Sequence, residues 1–315
     1  MHEFDLIQQY FTWTHAPSEV RVSVGDDAAV LQVSPDEELM ISVDTLVNGV
    51  HFPLNTPAHA IAYKALAVNL SDLAAMGATP RWFTLALTLP AVDIAWLEEF
   101  ARGLKELASQ AGIFLIGGDT TRGPLSITIQ VMGTSAKQQA LLRKGAQVGD
   151  AIFVSGYLGD AAAGLAVAQQ RLSLPTATAD YCLQRLHYPS PRLALGQWLQ
   201  GRAHSCMDIS DGLVADLKHL LKRSQVGANI YHQNLPFSPA LQKLNLSTAL
   251  VLALTGGDDY ELLFTAPESL LAEIETYQLV NQITITKIGE VTDKITELSL
   301  DYDLVNLPDG YNHFQ

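Results

Sequence analysis

AHAIAYKALAVNLSDLAAMGATPRWFTLALTL, residues 58–89, decides the architecture. Ala58 to Met76 reads as one helix. Gly77 suits its C-cap, and Pro80 follows where a helix cannot continue. Trp82 to Leu89 then reads as a strand. Helix-like and strand-like segments alternate on both sides of this stretch, which predicts a mixed α/β chain. Upstream, Arg21 to Val24 is β-rich, ends at Gly25-Asp26-Asp27 and resumes from Ala28 to Val33. Leu39 to Val43 reads as a buried strand ending at Asp44. Downstream, Asp93 to Gln110 reads as an amphipathic helix closed by Gly112. Ile113 to Ile116 is a short apolar strand running into Gly117-Gly118-Asp119, and Leu125 to Met132 alternates as another.

A boundary is expected between residues 135 and 150, where Ser135 to Gln139 is polar and Gly145 and Gly149-Asp150 mark turns. This gives domains 1–138 and 139–315. The second half opens with strand Ala151 to Val154 and helix Asp160 to Arg171. Pro189 and Pro191 precede a helix from about Arg192 to Leu199. Strand Ser205 to Ile209 feeds Ser210-Asp211-Gly212 and helix Leu213 to Arg223. The apolar run Leu250 to Leu254, read as a further strand, enters Thr255-Gly256-Gly257-Asp258-Asp259, followed by strands Tyr260 to Thr265 and Ile283 to Val291.

Composition narrows the class. Hydrophobic residues make up 48% and charged residues 17% of 315, enough apolar material for two ordinary cores. No apolar run reaches the roughly 18 residues of a membrane span. Met1-His2-Glu3-Phe4-Asp5 lacks the basic start of a secretory signal. Two cysteines, Cys182 and Cys206, stand outside any CxxC pair, so a disulfide framework is not expected and a cytoplasmic setting is. A net charge of −14 argues against nucleic acid or an anionic membrane as partner. An anionic substrate would need divalent cations to reverse the local sign.

Aspartates recur where apolar strands run out: Asp26/Asp27, Asp44, Asp119, Asp208/Asp211 and Asp258/Asp259, with Asp72 added on the helix. Each alone is ordinary turn chemistry. Together they stand where α/β folds collect ligands, and Mg²⁺ takes carboxylate and phosphate oxygens. The chain has no GxxxxGK[ST] loop, no GxGxxG opening a helix after a strand, no HExxH and no GxSxG. What remains is a nucleotide enzyme gripping phosphate through metal and aspartate.

Gly25-Asp26-Asp27-Ala28-Ala29, Ile41-Ser42-Val43-Asp44-Thr45-Leu46-Val47, His51-Phe52, Asn69-Leu70-Ser71-Asp72-Leu73-Ala74-Ala75-Met76-Gly77, Leu115-Ile116-Gly117-Gly118-Asp119, Asp208-Ile209-Ser210-Asp211-Gly212-Leu213 and Gly256-Gly257-Asp258-Asp259-Tyr260-Glu261 together resemble the thiamine-monophosphate kinases. A weaker resemblance reaches aminoimidazole ribonucleotide synthetase and selenophosphate synthetase, although residues 1–25 lack the catalytic Cys of the latter. The resemblance implies an α/β two-domain fold. Its N-terminal domain would form a β-barrel shared across a homodimer, and ATP would lie between the domains. It implies several Mg²⁺ ions on Asp27, Ser42, the Val43 carbonyl, Asp44, Asp72, Asp119, Asp208 and Asp211. Gly118, Asp119, Arg143 and Ser210 would contact ATP; His51, Asp258 and Tyr311 would contact thiamine monophosphate. Asp44, Asp72, Asp119 and Asp211 would carry the catalysis. The family usually has Glu at position 258, and often a tyrosine where this chain has Gln110 and Ala111.

The implied acceptor is itself a phosphate whose second pKa is about 6, so it is nucleophilic without a general base. Lys64 and Lys105 read as helix-surface charges, and Cys206 as a core residue.

Overall fold

The computed structural model describes residues 3–301; Tyr311 lies outside them. Two compact units form, one from the residues up to Leu73 together with Ala78–Ala140, the other from Ala74–Gly77 and the residues from Leu141 onward.

The first unit opens with α1 (Glu3–Leu6), continued by a π-helical turn over Ile7–Phe11. A small hairpin follows, β1 (Val20–Val22) against β2 (Val30–Leu31). Then come β3 (Glu37–Val47), α2 (Ala58–Ala75), β4 (Thr79–Leu89), α3 (Ile94–Ala111), β5 (Phe114–Arg122) and β6 (Ser126–Ala136). The sheet order is β3-β6-β4-β5, antiparallel except for the parallel β4–β5 pair that α3 connects. α2 is buried on nearly every side, as its all-round apolar sequence demands. α3 ends as expected: the Asp93 side chain accepts the Trp96 N–H at 3.1 Å, and Gly112 closes the helix at φ +67°.

Two expectations change here. β3 is not a buried strand ending at Asp44. It runs to Val47, and Leu39, Ile41 and Val43 are 42%, 55% and 55% exposed. Nor do Asp44 and Asp119 follow strand ends; each sits inside a strand. Each is in register with its neighbour (Asp44 with Ile129, Asp119 with Ala86), so the pairing continues past the acidic residue. Among the described residues the sheet is open, with β3 and β5 as its edges.

The second unit holds β7 (Ala151–Ser155), α4 (Asp160–Ala168), α5 (Thr176–His187), α6 (Leu193–Leu199), β8 (Ser205–Asp208), α7 (Leu213–Ser224), β9 (Gly227–Ile230), α8 (Leu246–Thr255), β10 (Leu262–Ala266), α9 (Leu271–Asn281), β11 (Ile285–Thr292) and β12 (Leu298–Leu300). The sheet order is β12-β9-β11-β7-β10-β8. Alternation splits β7, β8 and β10 between two cores. Ile152, Val154, Met207 and Leu263 pack with α7 and α8. Ala151, Phe153, Cys206 and Phe264 pack on the other side with α6 and α9. The run Leu250 to Leu254 is part of α8, not a strand, because Asn245 caps a helix there by accepting the Thr248 N–H at 2.8 Å.

Candidate functional site

In the first unit, Ser42 and Asp44 alternate with Val43 along β3, so their side chains turn toward α2 while Val43 faces out. The Ser42 hydroxyl lies 2.5 Å from Asp72 Oδ2 on α2. Asn69, one helical turn before Asp72, accepts the Asp44 N–H at 3.1 Å and donates to the Ala65 carbonyl at 2.9 Å. This stitch holds Asp44 close to Asp72. Burial, and then the Asp72 charge, raise the Asp44 carboxyl to about 6. No hydrogen bond reaches the Asp44 carboxylate among the described residues. Two carboxylates and a hydroxyl gathered in this way are a donor set that fits a hard divalent ion.

His51 lies just beyond β3. Its Nδ1 accepts the Val47 N–H at 2.9 Å, and Lys64 Nζ donates to its carbonyl at 3.3 Å. Lys64 is only 2% exposed, so it is no surface charge; it is buried on α2 beneath the His51 loop, whereas Lys105 is exposed. Asp119 and Gly118 are on β5. Gly118 adopts φ +158°, and a Cβ there would collide with the Leu85 carbonyl, so the strand crossing requires glycine. The register runs Asp44, Ile129, Leu85, Gly118 across all four strands. Three spacings of roughly 4.8 Å put Gly118 about 14 Å from Asp44. Asp119 therefore does not share a cation with Asp44 inside one chain. Asp27 lies in the exposed loop after β1 and accepts nothing from Asp44; its N–H bonds to Asp26 Oδ1 at 3.0 Å. Among the described residues, no three His, Cys, Asp or Glu side chains converge as a complete metal site.

In the second unit, β8 and β10 pair antiparallel, with Asp208 opposite Leu262. The loop leaving β8 and the loop entering β10 are therefore neighbours. The Ser210 carbonyl accepts the Asp258 N–H at 2.9 Å, and the Ile209 carbonyl accepts the Tyr260 N–H at 2.8 Å. Asp258 and Tyr260 both take left-handed φ, +71° and +50°, a cost that ordinary loops avoid. Asp258 accepts from the Tyr260 hydroxyl at 3.2 Å and is half-buried. Asp208 is buried, and the Arg143 side chain is exposed.

Three further acidic residues support this loop pair; Asp259 stands among the strand-end aspartates of the sequence, but the sequence alone assigns none of the three a role. Asp216, on the first turn of α7, accepts the N–H groups of Ser210 and Asp211, each at 3.0 Å. Asp259 is buried and accepts the Gly159 N–H, at 2.8 Å by its nearer oxygen. Glu261 is fully buried and takes Arg185 at 3.0 Å, Arg192 at 2.6 Å and the Ser155 hydroxyl at 2.6 Å. Asp258 to Glu261 precede β10 and carry left-handed φ at Asp258 and Tyr260, so no strand period marks which of them turn inward.

Both units match one class of protein. Residues 25–135 match the N-terminal domain of the AIR synthase related proteins, and residues 147–300 match the C-terminal domain. The chain is 48% identical to the thiamine-monophosphate kinase of Escherichia coli (strain K12), over 99% of this chain and 98% of that one. Its fold is similar to the crystal structure of thiamine-monophosphate kinase from Stenotrophomonas maltophilia K279a, with a TM-score of 0.86 and 46% identity over 90% of this chain and 92% of the other. It is also similar to AaThiL complexed with AMPPCP and TMP, with a TM-score of 0.79 and 31% identity over 90% and 89% of the two chains. The chain belongs to the thiamine-monophosphate kinase family.

Proposed function

We propose that this protein transfers the γ-phosphoryl group of ATP directly to the phosphate of thiamine monophosphate, giving thiamine diphosphate and ADP. The observation that carries this reading is the Ser42, Asp44 and Asp72 group, an acidic pair with no cationic partner on the Asp44 carboxylate among the described residues, in a family whose members are named for that reaction. Bound Mg²⁺ would offset the repulsion between two phosphates and neutralise charge on the leaving ADP. Several ions are proposed: Ser42, Asp44 and Asp72, with Asp27, Asp119 and the Val43 carbonyl, are the candidate ligands in the first unit, and Asp208 and Asp211 those in the second. Gly118, Arg143 and Ser210 would receive ATP. His51, Asp258 and Tyr311 would receive thiamine monophosphate. Attack in line by the acceptor phosphate needs no protein nucleophile and no general base, and no covalent intermediate is proposed.

The open sheet supports a homodimer. Leu39, Ile41 and Val43 form an exposed apolar row on edge strand β3, a surface that water disfavours and a second copy would cover. Pairing β3 of one subunit with β5 of the other would close eight strands. It would also carry Asp119 of the partner subunit toward Asp44, which one chain alone keeps about 14 Å apart. Among the described residues no helix is long and apolar enough to cross a membrane. A cytoplasmic setting is part of the proposal.

The test is to mix the protein with Mg-ATP and thiamine monophosphate and to quantify products. One thiamine diphosphate per ADP is expected. Tight binding of ATP with no product over hours would instead favour a binding protein.

A further inference from the structure

The loop leaving β8 is gripped on both sides of a single peptide. On one side, Asp216 Oδ2 accepts the N–H of Ser210 and the N–H of Asp211, each at 3.0 Å. On the other, the Ser210 carbonyl accepts the Asp258 N–H at 2.9 Å. Gly257 lies so close to that carbonyl that a Cβ would crowd it, which keeps the two loops in contact. Gly212, at φ +111°, turns the chain from this loop into α7, and a Cβ there would strike the Thr255 backbone. Asp216 is 3% exposed, and its own N–H is tied to the Gly212 carbonyl at 3.0 Å, so its position is set by the helix. After burial and the Asp211 charge, the charge of Arg143, the second ATP-side candidate in this unit, also acts on the Asp216 carboxyl.

We infer that Asp216 is a positioning residue that orients the Ser210–Asp211 segment for nucleotide and, through the Ser210 peptide, the Asp258 segment for the acceptor. The inference rests on the kinase reading above. One acceptor atom holds two backbone donors, so their directions are fixed together. Asp216 is buried behind the loop and is assigned no contact with either ligand. Its effect is mechanical: the nucleotide loop and the acceptor loop move as one body. A purely structural Asp216 would instead alter stability alone.

Asp216→Ala leaves two loop N–H groups without their acceptor. The Michaelis constants for ATP and for thiamine monophosphate should then both rise, by about tenfold or more. Asp216→Asn keeps an acceptor of the same shape and should stay within about threefold of the parent. Both are measured on the full chain at a temperature where melting curves show each variant folded. Should Asp216→Ala fail to fold, Asp216→Glu displaces the acceptor by one methylene and is read the same way. Raised constants for both substrates with rescue by Asn support the inference. A lowered melting temperature with both constants unchanged overturns it, as does a rise for ATP alone, which removes the link to Asp258. If the parent protein makes no thiamine diphosphate, the kinase reading falls. Calorimetric titration of AMPPCP into the parent and Asp216→Ala then decides the nucleotide half: equal affinities overturn it, and a tenfold loss sustains it.

Discussion

Acidic residues at two places in this molecule meet opposite fates. In the second unit, Glu261 is fully buried yet surrounded by donors, with Arg185, Arg192 and the Ser155 hydroxyl on its carboxylate. In the first, Asp44 is largely buried with, among the described residues, no donor on its carboxylate and a second carboxylate as its main charged neighbour. A buried charge that is fully paired holds a fold together. A buried charge set against its like costs stability and persists where something outside the chain supplies the opposite sign. The comparison separates scaffold from site without reference to any relative.

The largest expected effect tests the unpaired member. Asp44→Asn or Asp72→Asn should lower the rate of thiamine diphosphate formation by roughly three orders of magnitude, since a site built to hold a cation loses a ligand. Initial rates at saturating substrates measure it, and a variant near the parent rate would erase the distinction between the two regions. Next comes the paired member. Glu261→Gln should destabilise the protein by about 3–5 kcal/mol, because two guanidinium groups lose their shared counter-charge. Denaturant unfolding is the readout; a change below about 1 kcal/mol would place Glu261 among surface ion pairs instead.

Third, Asp44→Asn should do the reverse of Glu261→Gln and stabilise the metal-free protein. Asp44 keeps its proton up to about 6 when folded and releases it near 3.8 when unfolded. The folded state therefore binds more protons in that window, and stability falls as pH rises through it. At pH 7.5 the amide should gain about 1–3 kcal/mol, and below pH 4 the gain should vanish. Melting curves at both pH values check this; equal stability at pH 7.5 would mean that neither burial nor Asp72 raises the Asp44 carboxyl. The smallest effect concerns specificity. Asp258→Glu restores the longer side chain usual in this family and should lower the Michaelis constant for thiamine monophosphate by about two- to fivefold, the scale of one improved or water-replaced hydrogen bond. Steady-state kinetics will reveal it, and an unchanged constant would detach Asp258 from the acceptor.

Much of the scaffold was legible from pattern. The α3 boundaries followed from Asp93 and Gly112, and the strand–loop–helix run through Ser205 to Ser224 followed from apolar alternation giving way to helical spacing. α8 was misread because Leu250 to Leu254 is apolar throughout, and an unbroken apolar run carries no period to distinguish helix from strand. Lys64 was misread for a related reason. α2 is buried all round, so its sequence has no polar face to mark where solvent begins.

Sequence alone determined which residues could do chemistry, the order of most elements, and the family, because local periodicity and glycine-flanked aspartates are written along the chain. Which aspartates meet was decided only by the tertiary structure. Asp44 finds Asp72 because Asn69 pins β3 to α2. Asp119 is carried to the far edge of the same sheet by the strand order β3-β6-β4-β5. Asp216, Asp259 and Glu261 turn inward to hold loops. Such pairings depend on register and strand order, which long-range packing sets and local residue spacing does not encode.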